Sequence, residues 1–203
     1  TQNITGAGNV TKDISFFGAS TINGNNNTYT GSTTVNIDRF TVGSTGVING
    51  TSGIAVQAQW GANFNNLGSV TTAGAITVAG SGDTTGGGVT ADSSFFRNSG
   101  TINAGSMTLN SSSTANTTAN RGGTYSQSAG STTVSGTATL AANGGTGAVN
   151  SAGNDASFVL SGGSFTANTL AVNSGTVTAT GGSLNIGSGG ITSSGTNAIQ
   201  VNL

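Results

Sequence analysis

The sequence predicts an all-β protein of one architecture, a parallel β-helix or β-solenoid. Three observations predict it. First, the motif Gly-x-x-x-apolar recurs at 43–47, 74–78, 105–109 and 136–140, so that Gly43, Gly74, Gly105 and Gly136 stand 31 residues apart. Val47, Val78, Leu109 and Leu140 repeat in the same register, and Thr77, Thr108 and Thr139 form a polar column beside them. Second, a looser aromatic column, Tyr29, Phe64, Phe96, Tyr125 and Phe158, precedes the strict one at nearly the same period. Third, the local pattern is alternation of period two, bounded by Gly, Asn and Ser, with no 3.6-residue stripe and no helix caps. A fixed period of strands and turns means stacked coils, each placing the same side chain above its predecessor.

The elements follow in order. Alternation runs through Ile54, Val56, Ala58 and Trp60, with Gln57 and Gln59 between them. It returns at Ile76/Val78, Met107/Leu109, Ala138/Leu140, Leu184/Ile186 and Ile199/Val201/Leu203. Thr and Val favour strand, while Gly and Asn supply the turn conformations. The alternation slips phase at Asp38-Arg39, the mark of a bulge with an exposed charge pair. Segments 79–95 and 110–122 lose the alternation and are expected as loops or broad turns. One domain over 1–203 is expected, with about six coils of roughly 31 residues. Strands stack about 4.8 Å apart, so that body would be about 30 Å tall. The absence of Pro fits internal strands that pair on both sides.

Composition removes most chemistry. The chain of 203 residues has 36 Gly, no His, no Cys and no Pro, and its net charge is −1. The charged residues are Lys12, Arg39, Arg97 and Arg121 with Asp13, Asp38, Asp83, Asp92 and Asp155. There is no imidazole base, no thiol nucleophile, no disulfide and no zinc site. Four scattered cations do not neutralise the roughly 6–10 phosphates of a nucleic-acid site. No apolar stretch is long enough for a membrane-spanning helix, and no insertion into a membrane is expected. Asp83, in GSGD at 80–83, lacks the repeated carboxylates of a calcium-binding coil and reads as a turn residue. Trp60 continues an inward face and reads as core. Asp92 and Arg97 flank Phe95-Phe96 and are expected to pair locally. No enzymatic activity, cofactor or metal is expected. Six Asn-x-Ser/Thr sequons, at Asn3, Asn9, Asn26, Asn49, Asn110 and Asn116, are numerous because Asn, Ser and Thr are numerous.

The segment GNNNTYTGSTTVN at 24–36 resembles the autotransporter-associated strand repeat. GGTYSQSAGSTTVSGTATL at 122–140 and GGSLNIGSGGI at 181–191 resemble coils of autotransporter passengers and haemagglutinin-like adhesins. The resemblance implies a right-handed parallel β-helix displayed outside a bacterial cell. It leaves open a passenger fragment and a free-standing secreted protein.

A solenoid has two open edges, each a row of unpaired N–H and C=O groups. Asn197–Leu203 is an alternating strand without a charge, and Ile4 to Val10 is similar, with only Lys12 and Asp13 nearby. Nothing in the sequence gates either edge. Ile4, Val10, Ile199, Val201 and Leu203 are therefore the expected assembly residues, with a further copy of the chain as partner. Contact between unlike ends propagates into a filament. The expected function is an extracellular, non-enzymatic subunit of a surface or biofilm-matrix fibre. The alternatives are a display rod or adhesin that binds cell-surface glycans, and an ice-binding Thr array.

Overall fold

The computed structural model describes residues 3–13, 18–57, 62–78, 95–111, 122–142, 156–173, 175–193 and 200–202. Every element among them is a strand, and every strand pairing is parallel. Eight coils stack along one axis, and each coil contributes three rows of residues.

The first face holds β1 (Thr5–Gly6), β4 (Thr28–Tyr29) and β7 (Val47–Thr51). The second holds β2 (Val10–Lys12), β5 (Thr33–Val35) and β8 (Ile54–Val56). From the fourth coil onward one long strand serves both faces. These are β10 (Ser69–Val78), β12 (Thr101–Ser111), β14 (Ser131–Ala142), β16 (Ser164–Val172) and β18 (Ser183–Thr192). Each long strand breaks register in its middle, and β10 pairs with β7 on one side of the break and with β8 on the other. The third face carries short strands. These are β3 (Ser20–Ile22), β6 (Arg39–Val42), β9 (Asn63–Asn66) and β11 (Phe95–Asn98), then β13 (Thr124–Gln127), β15 (Ser157–Leu160), β17 (Thr176–Ala179) and β19 (Gln200–Asn202).

Coil length is where the structure departs from the expected repeat. The outer column of the second face runs Thr11, Thr34, Ala55, Thr77, Thr108, Thr139, Ala171 and Thr192. Its steps are 31 or 32 residues only between Thr77 and Ala171; elsewhere they are 21 to 23. The coil count is therefore eight rather than six. The basal coil is about 22 residues, and the longer ones carry inserted sequence in one connection, from the second face to the third. That connection spans 36–38 between β5 and β6, but 79–94 between β10 and β11. Of the segments expected as loops, 79–95 and 110–122, residues 79–94 and 112–121 lie outside the described residues, while Phe95 opens β11 and Asn110 and Ser111 close β12, so the strands reach further than expected.

Two memberships change for the same reason. Val78, Leu109 and Leu140 do share a column, which continues to Val172 and back through Val56 and Val35. Val47 does not belong to it; it stands opposite Ser69 on the first face. In the aromatic column Phe40, not Tyr29, precedes Phe64. Tyr29 is buried on the first face, where its hydroxyl meets Thr33 Oγ1 at 2.5 Å.

The interior is one continuous core of these columns. Phe40, Phe64, Phe96, Tyr125 and Phe158 stack with ring centroids 4.6–5.9 Å apart. Phe165 closes the stack edge-on against Phe158 at 4.7 Å. Each aromatic buries a large apolar area, and stacking adds about 0.5–1.5 kcal/mol per pair.

The corner between the third and first faces is polar inside. Asn66 and Asn98 stand in consecutive coils, both buried. Asn66 Nδ2 donates to Asn98 Oδ1 at 2.9 Å, and Asn98 Nδ2 donates to Thr132 Oγ1 at 2.9 Å. Each amide oxygen accepts the backbone N–H two residues on, from Gly68 and Gly100. In the next coil the Tyr125 hydroxyl donates to Gln127 Oε1 at 2.7 Å. A buried polar chain of this kind is stable only because its members are bonded. The same corner demands glycine. A Cβ on Gly100 would lie 2.1 Å from the Gly68 carbonyl oxygen, and one on Gly130 1.9 Å from that of Gly100.

Outside, Thr77, Thr108 and Thr139 form the expected polar column on the second face. The first face carries two further columns in unbroken register. One runs Ser69, Thr101, Ser131, Ser164 and Ser183; the other runs Thr71, Asn103, Thr133, Thr166 and Asn185.

Candidate functional site: the two ends of the solenoid

The first coil is β1, β2 and β3, which are two or three residues each. It is bonded to the second coil along one side. Thr28 N donates to the Ile4 carbonyl at 3.0 Å, Val10 N to the Ser32 carbonyl at 2.9 Å, and Gly43 N to the Ile22 carbonyl at 2.9 Å. Side chains reinforce the seam. Ile4 N donates to Asn27 Oδ1 at 2.7 Å, Ser32 N to Asn9 Oδ1 at 2.9 Å, and Asn36 Nδ2 to Asp13 Oδ1 at 2.9 Å. Among the described residues no strand pairs with the other side of this coil. The last coil, β18 and β19, is likewise an edge.

The inward columns reach both edges and stay half covered there. Ile4 is 39% exposed and Ile191 51% exposed, whereas Ile48 and Leu170 in the body are fully buried. Val10, Ile22, Leu184 and Ile186 are only partly buried against the core. Each column can be followed from end to end. The column of Ile4 passes through Asn27, Ile48 and Val70 and emerges at Leu184. That of Val10 passes through Thr33, Ile54 and Ile76 and emerges at Ile191. The column of Ser20 and Phe40 ends at Val201. In the first two of these columns an apolar residue at one end shares the column with an apolar residue at the other; in the third, Ser20 shares it with Val201.

Lys12 corrects the view that nothing gates the edges. It lies on the edge strand opposite Val35, in the otherwise apolar inward column that continues through Val56 and Val78 to Val172. A half-buried, inward-set charge on an edge strand is a known guard against indiscriminate pairing. At the opposite end the next position in that column is Ser193, so the residue that would meet the lysine is itself polar.

Of the five residues expected to mediate assembly, Ile4 and Val10 lie at the first edge, and Val201 lies opposite Val177 on the last. Ile199 and Leu203 lie outside the described residues. Leu184 and Ile191 were missed as edge residues. Their alternation marks a strand, but only the register of β16 on β18 puts that strand at the edge.

No protein-family model, curated protein or solved structure matches the chain.

Among the described residues the other charged groups form no second site. Asp38 takes a left-handed φ of 57°, which accounts for the phase slip between the buried Ile37 and Phe40. The expected exposed pair with Arg39 is not formed: Arg39 is exposed, and Asp38 Oδ2 is buried without a hydrogen-bond partner. Asn63 Oδ1 and Asn65 Oδ1 on the neighbouring strand are buried without partners too. Arg97 stacks over the Phe95 ring at 4.7 Å; Asp92, Asp83 and Trp60 lie outside the described residues. Among the described residues no group of three His, Cys, Asp or Glu side chains could hold a metal. No helix among them is long and apolar enough to cross a membrane.

Burial pushes the phenols of Tyr125 and Tyr29 above the usual tyrosine range, against the opposing effect of their hydroxyl bonds to Thr132 and Thr33. These tyrosines are core groups. Tyr125 belongs to the aromatic stack and the polar corner, and Tyr29 packs on the first face against Thr33.

Proposed function

We propose that the chain is a non-enzymatic, extracellular structural protein, the subunit of a surface or biofilm-matrix filament whose copies join end to end by strand addition. The observation that carries this reading is the matched pair of edges. The last coil of one copy, set on the first coil of the next, would put Leu184 on Ile4, Ile191 on Val10 and Ser193 beside Lys12. It would also continue the backbone ladder of every face. The joint is heterologous and does not close, so it propagates. Backbone bonds supply its strength and the column residues its register.

The test is electron microscopy of purified protein at neutral pH, with the Ile191→Lys variant beside it. Fibres from the parent chain and separate rods from the variant, both with the same β-sheet spectrum, are expected. Separate rods from the parent at high concentration would overturn the reading.

A second reading, a display rod or adhesin for cell-surface glycans, draws on one feature. The coil-length variation is gathered in one connection of the fourth to sixth coils, so a repeating rod would carry all its inserted sequence along one side. Secretion from a bacterium belongs to both readings and rests on the resemblance of the repeats.

A further inference from the structure

The corner between the first and second faces follows a rule that its first member obeys for no reason inside the chain. Gly8, two residues before Val10, begins a column that ends at Gly189, two residues before Ile191. The step across this corner is four residues from Gly6 to Val10, Tyr29 to Thr33, Thr72 to Ile76 and Val134 to Ala138, and five from Ile186 to Ile191. In all five of these coils the column residue is glycine. Side chains enter the column only at Ser52 and Asn168, and there the step is three.

These glycines answer to the coil before them. A Cβ on Gly31, Gly74, Gly136 or Gly189 would lie between 1.7 and 3.0 Å from a carbonyl oxygen of the preceding coil, and the oxygen is that of Gly8, Ser52, Gly105 and Asn168 in turn. In each case it belongs to the residue of the same column one coil earlier. The longer corner therefore brings backbone onto backbone, and only glycine leaves room for it. Gly8 has no coil before it. A Cβ there would meet nothing within 4 Å, and its φ is not left-handed. Nothing in a separate chain requires glycine at this position, where its loose backbone is a cost.

We infer that Gly8 is the seat of the Gly189 carbonyl of a second copy, and so the residue that decides whether one copy's last coil can close on another's first. The inference rests on the end-to-end reading and names its determinant. The occupant is read from the chain's own stacking, which sets the carbonyl of one coil where the Cβ of the next would stand. Gly189 is the last residue of the column and Gly8 the first, so the same step carried across the joint brings them together. The clearance also fixes the register. Gly189 reaches Gly8 only where Ile191 meets Val10, which is the alignment that sets Leu184 on Ile4. Gly8 is thus a positioning residue for assembly, with no part in the stability of the separate rod.

The test compares the parent with Gly8→Val and, as a control on the same edge, the exposed Thr11→Val. Urea denaturation is read in the Ile191→Lys background, where rods stay separate, with Gly31→Val beside it. Gly8→Val should leave the midpoint unchanged, whereas Gly31→Val should lower it. Fibre growth, followed by light scattering and electron microscopy, should fall about ten-fold or more in Gly8→Val and be kept in Thr11→Val. A Gly8→Val copy still offers an intact last coil, so as a minor component it should cap and shorten parent fibres. Growth of Gly8→Val at the parent's rate would overturn the inference and leave the end-to-end reading standing. So would a lowered midpoint in its separate rods, since Gly8 would then serve the fold. A parent that forms no fibres would overturn that reading and this inference with it.

Discussion

The middle of the solenoid and its two ends share one coil plan but differ in how their columns are finished. Phe96, Ile102 and Ile76 lie in the body with no exposed surface. Their counterparts at the edges, Ile4 and Ile191, stand in the same kind of column with about two-fifths and one-half of their surface in water. The difference is one of neighbours, since an interior coil is covered on both sides and an edge coil on one. A solenoid coil cannot complete its own core. Side chains of the same kind are therefore buried in the middle and left partly in water at the ends, where the proposed joint would cover them.

The largest expected effect lies in the middle. Phe96→Ala opens the aromatic stack between Phe64 and Tyr125. It should lower the unfolding free energy by about 3–5 kcal/mol, read by urea denaturation. Leu184→Ala at the edge should cost clearly less in separate rods, because its side chain is only partly buried, with core on one side alone. Comparable losses at the two sites would break the comparison.

Next comes the polar corner. Asn98→Ala removes the acceptor of Asn66 Nδ2 and the donor to Thr132 Oγ1. Asn66 Nδ2 keeps only its bond to the Thr101 carbonyl and Thr132 Oγ1 only its bond to the Tyr125 hydroxyl, and the lost bonds should cost about 1–3 kcal/mol. Substituting the exposed Asn103 one strand further on should be close to neutral.

The pH profile sharpens the same contrast. With no His in the chain, stability should be flat around neutrality. The phenols of Tyr125 and Tyr29 are raised in the folded state by burial. Their contribution is therefore whole below the unfolded value, about 10, and lost as pH climbs above it. Each buried phenol should add a slope of about 1.4 kcal/mol per pH unit in that range. Tyr125→Phe should remove one such share, seen as a shallower fall of the urea midpoint above pH 10.

The smallest effect on folding is expected at Lys12. Lys12→Val should change the stability of separate rods by under about 1 kcal/mol, since the residue is only half buried. Its effect should appear in assembly instead. With the inward charge gone, light scattering should show faster growth and a weaker dependence on salt.

Much of the fold was legible in the sequence, and the reasons it was not all legible are physical. Thr77, Thr108 and Thr139, or Val78, Leu109 and Leu140, align because three successive coils carry insertions of similar size. That regularity made 31 look like the coil when it is the coil plus an insertion. It drew Val47 and Tyr29 into columns that belong to Val56 and Phe40. The shorter coils at either end broke the sequence period but not the spatial one. The polar corner had a signal in the Asn-x-Gly at 66–68 and 98–100, where the amide bonds its own turn and the glycine admits the next backbone. The edges at Ile4 and Val10 were readable from alternation without charge. The partner residues Leu184 and Ile191 were not, because only the stacking order reveals which strand is last.

The proposed joint requires the two ends to be complementary. Its most direct test is negative-stain electron microscopy of the purified chain at neutral pH, with the axial repeat taken from averaged images. Eight coils at about 4.8 Å predict fibres with a repeat near 38 Å. Monodisperse rods of that length at high concentration, with the ends never joined, would contradict the account.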